Sequence, residues 1–249
     1  MTRYFIELSF NGTAYHGWQL QDNAHTVQAE VEKALSVICK EKIEVTGCGR
    51  TDTGVHAKQY YLHFDIESKL EDLPHLTFQL NSILPDDIVF HKIIPVADDA
   101  HARFSAVGRT YRYYVSWEKP VFKKDFCHTV YHKPSIDAMN RIALRLFEYS
   151  DFTAFAKLHS DTKTNNCKIM QAQWDEENEQ MIFTIEADRF LRNMVRAIVG
   201  TLLNAGAGKL DEAGFRKIIE SKNRSEAGVS VPAKGLFLEE VKYPEGMLE

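Results

Sequence analysis

The order of strand and helix patterns is the feature that most constrains the fold of this chain. Residues 4–10 alternate apolar and polar side chains, as in a strand, and Thr26 precedes an amphipathic helix pattern that ends near Lys42. Further patterns predict strands at 43–48, 59–66 and 88–94 and a helix at 75–84. The first half therefore predicts the element order β-α-β-β-α-β.

The second half of the chain repeats this order. Its patterns predict a strand at 109–117, a helix at 135–148, strands near 167–175 and 180–187, a helix at 190–205, an inserted helix near 212–220 and a last strand at 236–242. Two split β-α-β arrangements imply antiparallel sheets backed by helices around a central cleft. We therefore expect an α+β fold of two pseudo-repeated ferredoxin-like or RRM-like halves, residues 1–105 and 106–249, packed without a flexible linker.

The composition is that of an ordinary globular protein, with 44% hydrophobic and 26% charged residues. These values exclude disordered and fibrous proteins. Glu7 interrupts the apolar run that a signal peptide would need, and no stretch approaches the roughly eighteen apolar residues of a membrane span. We expect a cytoplasmic protein with no membrane partner. The cysteines are too widely spaced for a metal or redox pair, which predicts free thiols and no metal site.

The net charge of −5 disfavours a nucleic-acid partner at first sight. However, residues 101–134, which we call the basic strip, contain seven Lys or Arg residues and two acidic ones. A local basic surface on an acidic protein is able to follow a phosphate backbone. On charge alone, a solvated charged face is the simpler interpretation.

Residues 49–57 read Gly-Arg-Thr-Asp-Thr-Gly-Val-His-Ala and predict a turn between two strands that presents Asp52, with Arg50 beside it. Glycines at positions 47, 49 and 54 are expected to permit positive φ and close approach to a ligand. Asp and Gly are also common in ordinary hairpin turns. From this segment alone, a reactive carboxylate and a plain turn are equally supported.

A carboxylate in a partly dry cleft stays ionised most readily beside a cation. The helix pattern at 190–205 places Arg192 and Arg196 on one side, and we favour Arg196 as the partner of Asp52. Arg50 is less suitable, because neighbouring side chains on a strand point apart. A surface arginine without a partner is the alternative for Arg196.

The strand at 109–117 alternates aromatic and basic residues, and Tyr111 and Tyr113 share one face. Such a strand is suited to stacking an unpaired base on a tyrosine ring. A half-buried strand with tyrosines in the core is the alternative, and we favour it for Tyr113.

Two other functions agree with parts of the sequence. Asp52-Thr53-Gly54 is the tripeptide of aspartic proteases, but those enzymes need two such carboxylates and this chain has one. A non-catalytic RNA-binding protein of two RRM-like units agrees with the repeat, yet neither half has the aromatic RNP pattern. It also leaves the Asp52 turn unexplained.

Several segments, taken in order, resemble the TruA-type family of tRNA pseudouridine synthases. They are Gly17-Trp18-Gln19 with Thr26-Val27-Gln28, the turn at 49–57, Leu80-Asn81 with Leu84-Pro85, residues 101–106, Arg109 to Tyr113, Asp151-Phe152-Thr153 with Phe155, Phe190 to Arg196, and Gly235 to Leu238. These segments span nearly the whole chain, and the Asp52 turn is the most specific of them.

The resemblance implies that Asp52 is the catalytic residue, that Tyr111 contacts the target base and that Arg196 pairs with Asp52. It also implies that Arg50 helps to hold the displaced nucleotide. The expected reaction isomerises uridine to pseudouridine at positions 38–40 of the tRNA anticodon stem-loop, without a cofactor or metal. A homodimer that binds one tRNA across both subunits is expected. Thr53 departs from the family, which commonly has Ala there.

Overall fold

The computed structural model describes residues 1–157 and 163–248. Its strands and helices form an α+β arrangement, which confirms the predicted α+β class. The strands are β1 (Thr2–Phe10), β2 (Thr46–Gly47), β3 (His56–Ile66), β4 (Ile88–Pro95), β5 (Gly108–Ser116), β6 (His128–Thr129), β7 (Ile169–Glu177), β8 (Gln180–Ala187) and β9 (Leu236–Lys242). The helices are α1 (Val27–Cys39), α2 (Leu73–Asn81), α3 (Ile136–Ala143), α4 (Met194–Gly206) and α5 (Glu212–Ser221).

The chain divides into two compact units. The first contains Met1–Gly108 together with Leu238–Glu249, and the second contains Arg109–Phe237. The sequence placed the division at residue 105 and assigned all of the last strand to the second half. In the structure, most of β9 groups with the first unit, where Val241 N donates to Gln59 Oε1 at 3.0 Å.

In the first unit, β1 lies between β3 and β4 and pairs antiparallel with both. The short β2 pairs antiparallel with β3. Side chains from β1, β3 and the segment before α1 form an aromatic core, in which the Trp18 and Tyr60 rings are 4.2 Å apart and Phe10 lies 5.5 Å from Tyr60. This core fixes the start of β3, which follows directly on the Asp52 turn.

Thr26 starts the first helix, as its position in the sequence predicts. Thr26 Oγ1 accepts a hydrogen bond from Ala29 N at 3.4 Å and caps the start of α1, and Lys40, directly after the helix, has the left-handed conformation. The predicted strand at 43–48 is wrong in length, because β2 has only two residues. Ile43 and Val45 are nevertheless buried. Their apolar character therefore reflects burial in the core and not membership of a strand.

In the second unit, β8 pairs antiparallel with β5 and with β7, and the short β6 runs parallel to β5. Asn178 and Glu179, both with positive φ, form the two-residue turn between β7 and β8. The helix predicted at 190–205 begins only at Met194, because Asn193 has a φ of 67°. Arg192 therefore precedes the helix, and the predicted placement of Arg192 and Arg196 on one helix side is wrong.

Other expectations concern the whole chain. All four cysteines are free, as predicted. None of the helices in the described chain combines the length and apolar character that crossing a bilayer requires.

Candidate active site

Asp52 is the first residue of a hydrogen-bonded turn in the first unit. Val55 N donates to the Asp52 carbonyl oxygen at 3.1 Å, which closes the four-residue turn. Gly54, the third residue, has a φ of 78°, a conformation that favours glycine. Asp52 is half-buried. The structure thus presents this carboxylate from a turn with a defined backbone conformation.

A second segment, residues 12–18, packs against this turn, and we call it the bracing segment. Three hydrogen bonds join them: Gly54 N to Tyr15 O (3.3 Å), Trp18 N to Thr51 Oγ1 (3.1 Å) and Gly12 N to His56 Nδ1 (3.1 Å). Because these bonds engage residues on both sides of Asp52, the bracing segment holds the aspartate backbone from two directions.

Two glycines allow the bracing segment to approach so closely. A Cβ at Gly12 would lie 2.0 Å from Val55 O, and a Cβ at Gly17 would lie 2.3 Å from Thr51 O. Gly17 also has a φ of 89°. A side chain at either position would push the turn away. Sequence reasoning missed the bracing role of both glycines, because their partners lie far along the chain.

The glycines that were singled out from sequence have different roles. Only Gly54 has a positive φ among the three. At Gly47, a Cβ would lie 2.1 Å from Tyr60 Oη and 2.5 Å from Trp18 Nε1, so this glycine makes room for the aromatic core. A Cβ at Gly49 would have no neighbour within 4 Å among the described residues. The prediction of a positive φ at positions 47 and 49 is therefore wrong.

Tyr15 anchors the bracing segment. Its ring is buried and lies 4.6 Å from the His25 ring, and its Oη donates to Asp87 Oδ1 at 2.5 Å. Burial, reinforced by the hydrogen bond to Asp87, raises the pKa of the Tyr15 phenol, so it stays a donor at neutral pH. The position of the Asp52 turn thus depends on contacts that reach the start of β4.

The second unit contains Tyr111 and Tyr113, the two tyrosines of β5 that share one strand face. Tyr111 is half-buried, and its ring meets the edge of Phe190 at a centroid distance of 5.2 Å. Tyr113 is fully buried and donates to Pro232 O at 2.7 Å, which confirms the prediction that it belongs to the core. Of these two tyrosines, Tyr111 is thus the one that retains accessible surface.

Arg196 lies in the first turn of α4 and is held by the segment that follows α5. Its Nε donates to Val231 O at 2.8 Å, and Val231 N donates to Arg196 O at 3.2 Å. Burial raises the pKa of Tyr113, and the charge of Arg196 opposes this shift. Tyr113 donates to Pro232 O, next to the Val231 carbonyl that Arg196 contacts, so Arg196 lies near Tyr113, two residues along β5 from Tyr111.

The second unit brings Tyr111 and Arg196 to one region, and the first unit presents Asp52 with the exposed Arg50 two residues before it. The pairing of Asp52 with Arg196 stays a prediction. Within the described residues, no group of three or more His, Cys, Asp or Glu side chains is arranged to hold a metal ion.

Comparison with known proteins identifies the chain. A family model described as tRNA pseudouridine synthase matches residues 8–105 and 149–244. The relative named tRNA pseudouridine synthase A from Parabacteroides distasonis is 51% identical over 245 residues, which cover 98% of this chain and 97% of the relative. A relative of the same name from Clostridium acetobutylicum is 41% identical over 240 residues, 96% of this chain and 98% of the relative.

These matches define an enzyme of the isomerase class. The chain belongs to the tRNA pseudouridine synthase family. The matched ranges include Asp52 and Arg196, whereas Tyr111 lies between them.

Proposed function

We propose that this enzyme isomerises uridine to pseudouridine at positions 38–40 of the tRNA anticodon stem-loop, with Asp52 as its single catalytic aspartate and without a cofactor. The observation that carries the proposal is the braced turn. Three hydrogen bonds from residues 12–18 hold the segment that presents the half-buried Asp52. Catalysis depends on such positioning, because small displacements of a reacting group cost large factors in rate.

The chemistry needs one carboxylate. The reaction breaks the bond between N1 of the base and C1′ of ribose, rotates the detached uracil and forms a bond from C1′ to C5. The C5 proton is lost and N1 gains a proton, so atoms and electrons balance without an oxidant or reductant. Asp52 acts in its deprotonated form.

The target base must leave the RNA stack before Asp52 is able to reach it. Extruding a nucleotide costs a few kcal/mol. Stacking of the extruded base on the Tyr111 ring returns about 1–3 kcal/mol of this. Arg50 holds the displaced nucleotide, and Arg196 pairs with Asp52.

The enzyme is proposed to be a cytoplasmic homodimer in which one tRNA contacts both subunits. The resemblance to the family supports the dimer, and the composition supports the location. Sedimentation of the purified protein tests the dimer independently of catalysis.

The function is tested by incubating the purified protein with unmodified tRNA and EDTA, without any added cofactor, and then mapping pseudouridine at single-nucleotide resolution. We expect product at one or more of positions 38–40 and a rate that EDTA does not change. Product confined to other positions would contradict the proposed specificity. Binding of tRNA without any product would contradict the assigned reaction and favour a binding protein.

A further inference from the structure

Five basic residues surround the end of β8 in the second unit, and we call them the basic corner. They come from four separate segments of the chain: Arg109, Lys157, Lys168, Arg189 and Arg192. Lys157, Lys168 and Arg192 are exposed, and Arg109 and Arg189 are half-buried. Because β5 and β7 both pair with β8 at Ala187, residues at these strand ends are brought together.

Asp188 organises the corner. Its Oδ1 accepts hydrogen bonds from Lys168 N and from Arg189 N, each at 2.8 Å, and its carbonyl oxygen accepts one from Arg109 Nη1 at 2.8 Å. The carboxylate thus accepts from the backbone N–H groups of Lys168 and Arg189, two of the five members of the corner. A further bond, from Lys157 N to Arg192 O at 3.0 Å, joins the remaining two members to each other, and Arg192 follows Arg189 by three residues.

The charges in the corner reinforce one another. Neighbouring strands are about 4.8 Å apart, so the side chains that extend from the ends of β5, β8 and β7 lie within roughly one Debye length at physiological salt. Within the part of the chain that the structure describes, the ammonium groups of Lys157 and Lys168 form no salt bridge or hydrogen bond. The five cations outnumber the carboxylate of Asp188 that lies among them, so the corner is suited to bind a further anion.

The corner adjoins the proposed base contact. Arg109 precedes Tyr111 by two residues on β5, so the two share a strand face. Phe190 follows Arg189 directly, and its ring contacts the Tyr111 ring. Phosphates bound at the corner would therefore belong to nucleotides close to a base that stacks on Tyr111.

We propose that the basic corner binds backbone phosphates of the tRNA strand that carries the target uridine. The inference rests on the proposed function for the identity of the RNA. Arginine forks and lysine ammonium groups are the side chains that most commonly contact phosphate oxygens. Such contacts position the strand without reading its sequence, so the corner contributes to affinity and register and leaves the chemical step to Asp52.

The test uses Lys168→Gln and Arg189→Gln, singly and together. Both substitutions remove a charge and keep the backbone N–H groups that bind Asp188, so the local fold is retained. The dissociation constant for unmodified tRNA is measured across a series of KCl concentrations. We expect each single substitution to lower the slope of log K against log salt by about 0.7–0.9, and the pair to lower it by about twice that.

Lys209→Gln is the matched control. Lys209 is exposed and follows the far end of α4, about 20 Å along the helix axis from Arg192. We expect its salt slope to equal that of the wild type. Slopes unchanged by Lys168→Gln and Arg189→Gln, or lowered equally by Lys209→Gln, would overturn the inference.

Turnover separates this inference from the proposed function. We expect the corner variants to raise KM and to leave kcat within about twofold, because phosphate contacts act in the ground state and the transition state alike. A lower kcat with an unchanged KM would overturn the phosphate-binding role. Failure of the wild-type enzyme to form pseudouridine would overturn the proposed function, and the salt slopes would still decide whether the corner binds RNA.

Discussion

At the scale of single residues, the backbone at Gly17 controls the position of the Asp52 turn. Its φ of 89° is costly for other residues, and a Cβ would lie 2.3 Å from Thr51 O. Both effects act on the peptide directly before Asp52. The glycine therefore matters for the aspartate, although the two are far apart in sequence.

We predict that Gly17→Ala lowers kcat by about tenfold or more. The left-handed conformation costs an alanine about 1–2 kcal/mol, and relief of the clash displaces the turn. Gly49→Ala is the control, because a Cβ there meets no described atom within 4 Å and the residue lacks a positive φ. Steady-state kinetics and thermal unfolding should be measured on both variants. Equal kcat values for the two variants would contradict the bracing role.

The residues of the Asp52 turn show what sequence reasoning is able to reach. The sequence predicted a turn at residues 49–57, and the positive φ of Gly54 agrees with the expected chemistry. The reasons for Gly12, Gly17 and Gly47 lie in contacts with residues distant in the chain. Such contacts leave no local pattern, so the bracing segment could be found only from the structure.

At the scale of elements, the buried His63 of β3 connects the segment after β4 to the sheet. Its ring stacks on Phe5 of β1. Ala102 N donates to His63 Nδ1 at 3.1 Å, so this nitrogen must be unprotonated. Burial lowers the pKa of His63 to about 4, the charges of Arg3 and His101 act in the same direction, and Asp65 opposes them. The neutral ring is therefore part of the folded state.

This lowered pKa predicts a dependence of stability on pH. An unfolded histidine titrates near 6.5, so between about pH 6.5 and 4 the unfolded chain binds a proton that folded His63 does not. The free energy of unfolding should fall as the pH falls, by up to about 1.4 kcal/mol per pH unit from this residue. His63→Asn keeps an acceptor and does not titrate. Urea unfolding at pH 7, 6 and 5 should therefore show a shallower decline for His63→Asn, and parallel declines would contradict this account.

The elements also show where sequence patterns mislead. The apolar residue Phe190 fits the period of α4, but it packs on Tyr111 in the segment before the helix. In the basic strip, Lys133 pairs with Glu176 at 2.7 Å and Lys123 donates to Gln180 Oε1 at 2.8 Å. These two lysines serve contacts within the second unit.

At the scale of the whole molecule, the order of elements was predictable and the grouping of the last strand was not. The bounds predicted for β9, residues 236–242, agree with the structure. Its pattern of apolar residues does not specify a partner, and contacts such as Lys58 Nζ with Glu239 at 2.8 Å join it to the first unit. The basic corner was missed for a similar reason, because its members lie on four segments.

For the enzyme as a whole, we propose that the carboxylate of Asp52 is the catalytic group. Asp52→Asn keeps the size and shape of the side chain and removes its charge, so the turn and the tRNA-binding surface should persist. The decisive measurement is single-turnover formation of pseudouridine by this variant, with tRNA binding measured on the same preparation. We predict wild-type affinity for tRNA and a loss of turnover of at least about 10³-fold, as for the removal of a catalytic group that acts directly. Product formation near the wild-type rate would contradict the claim.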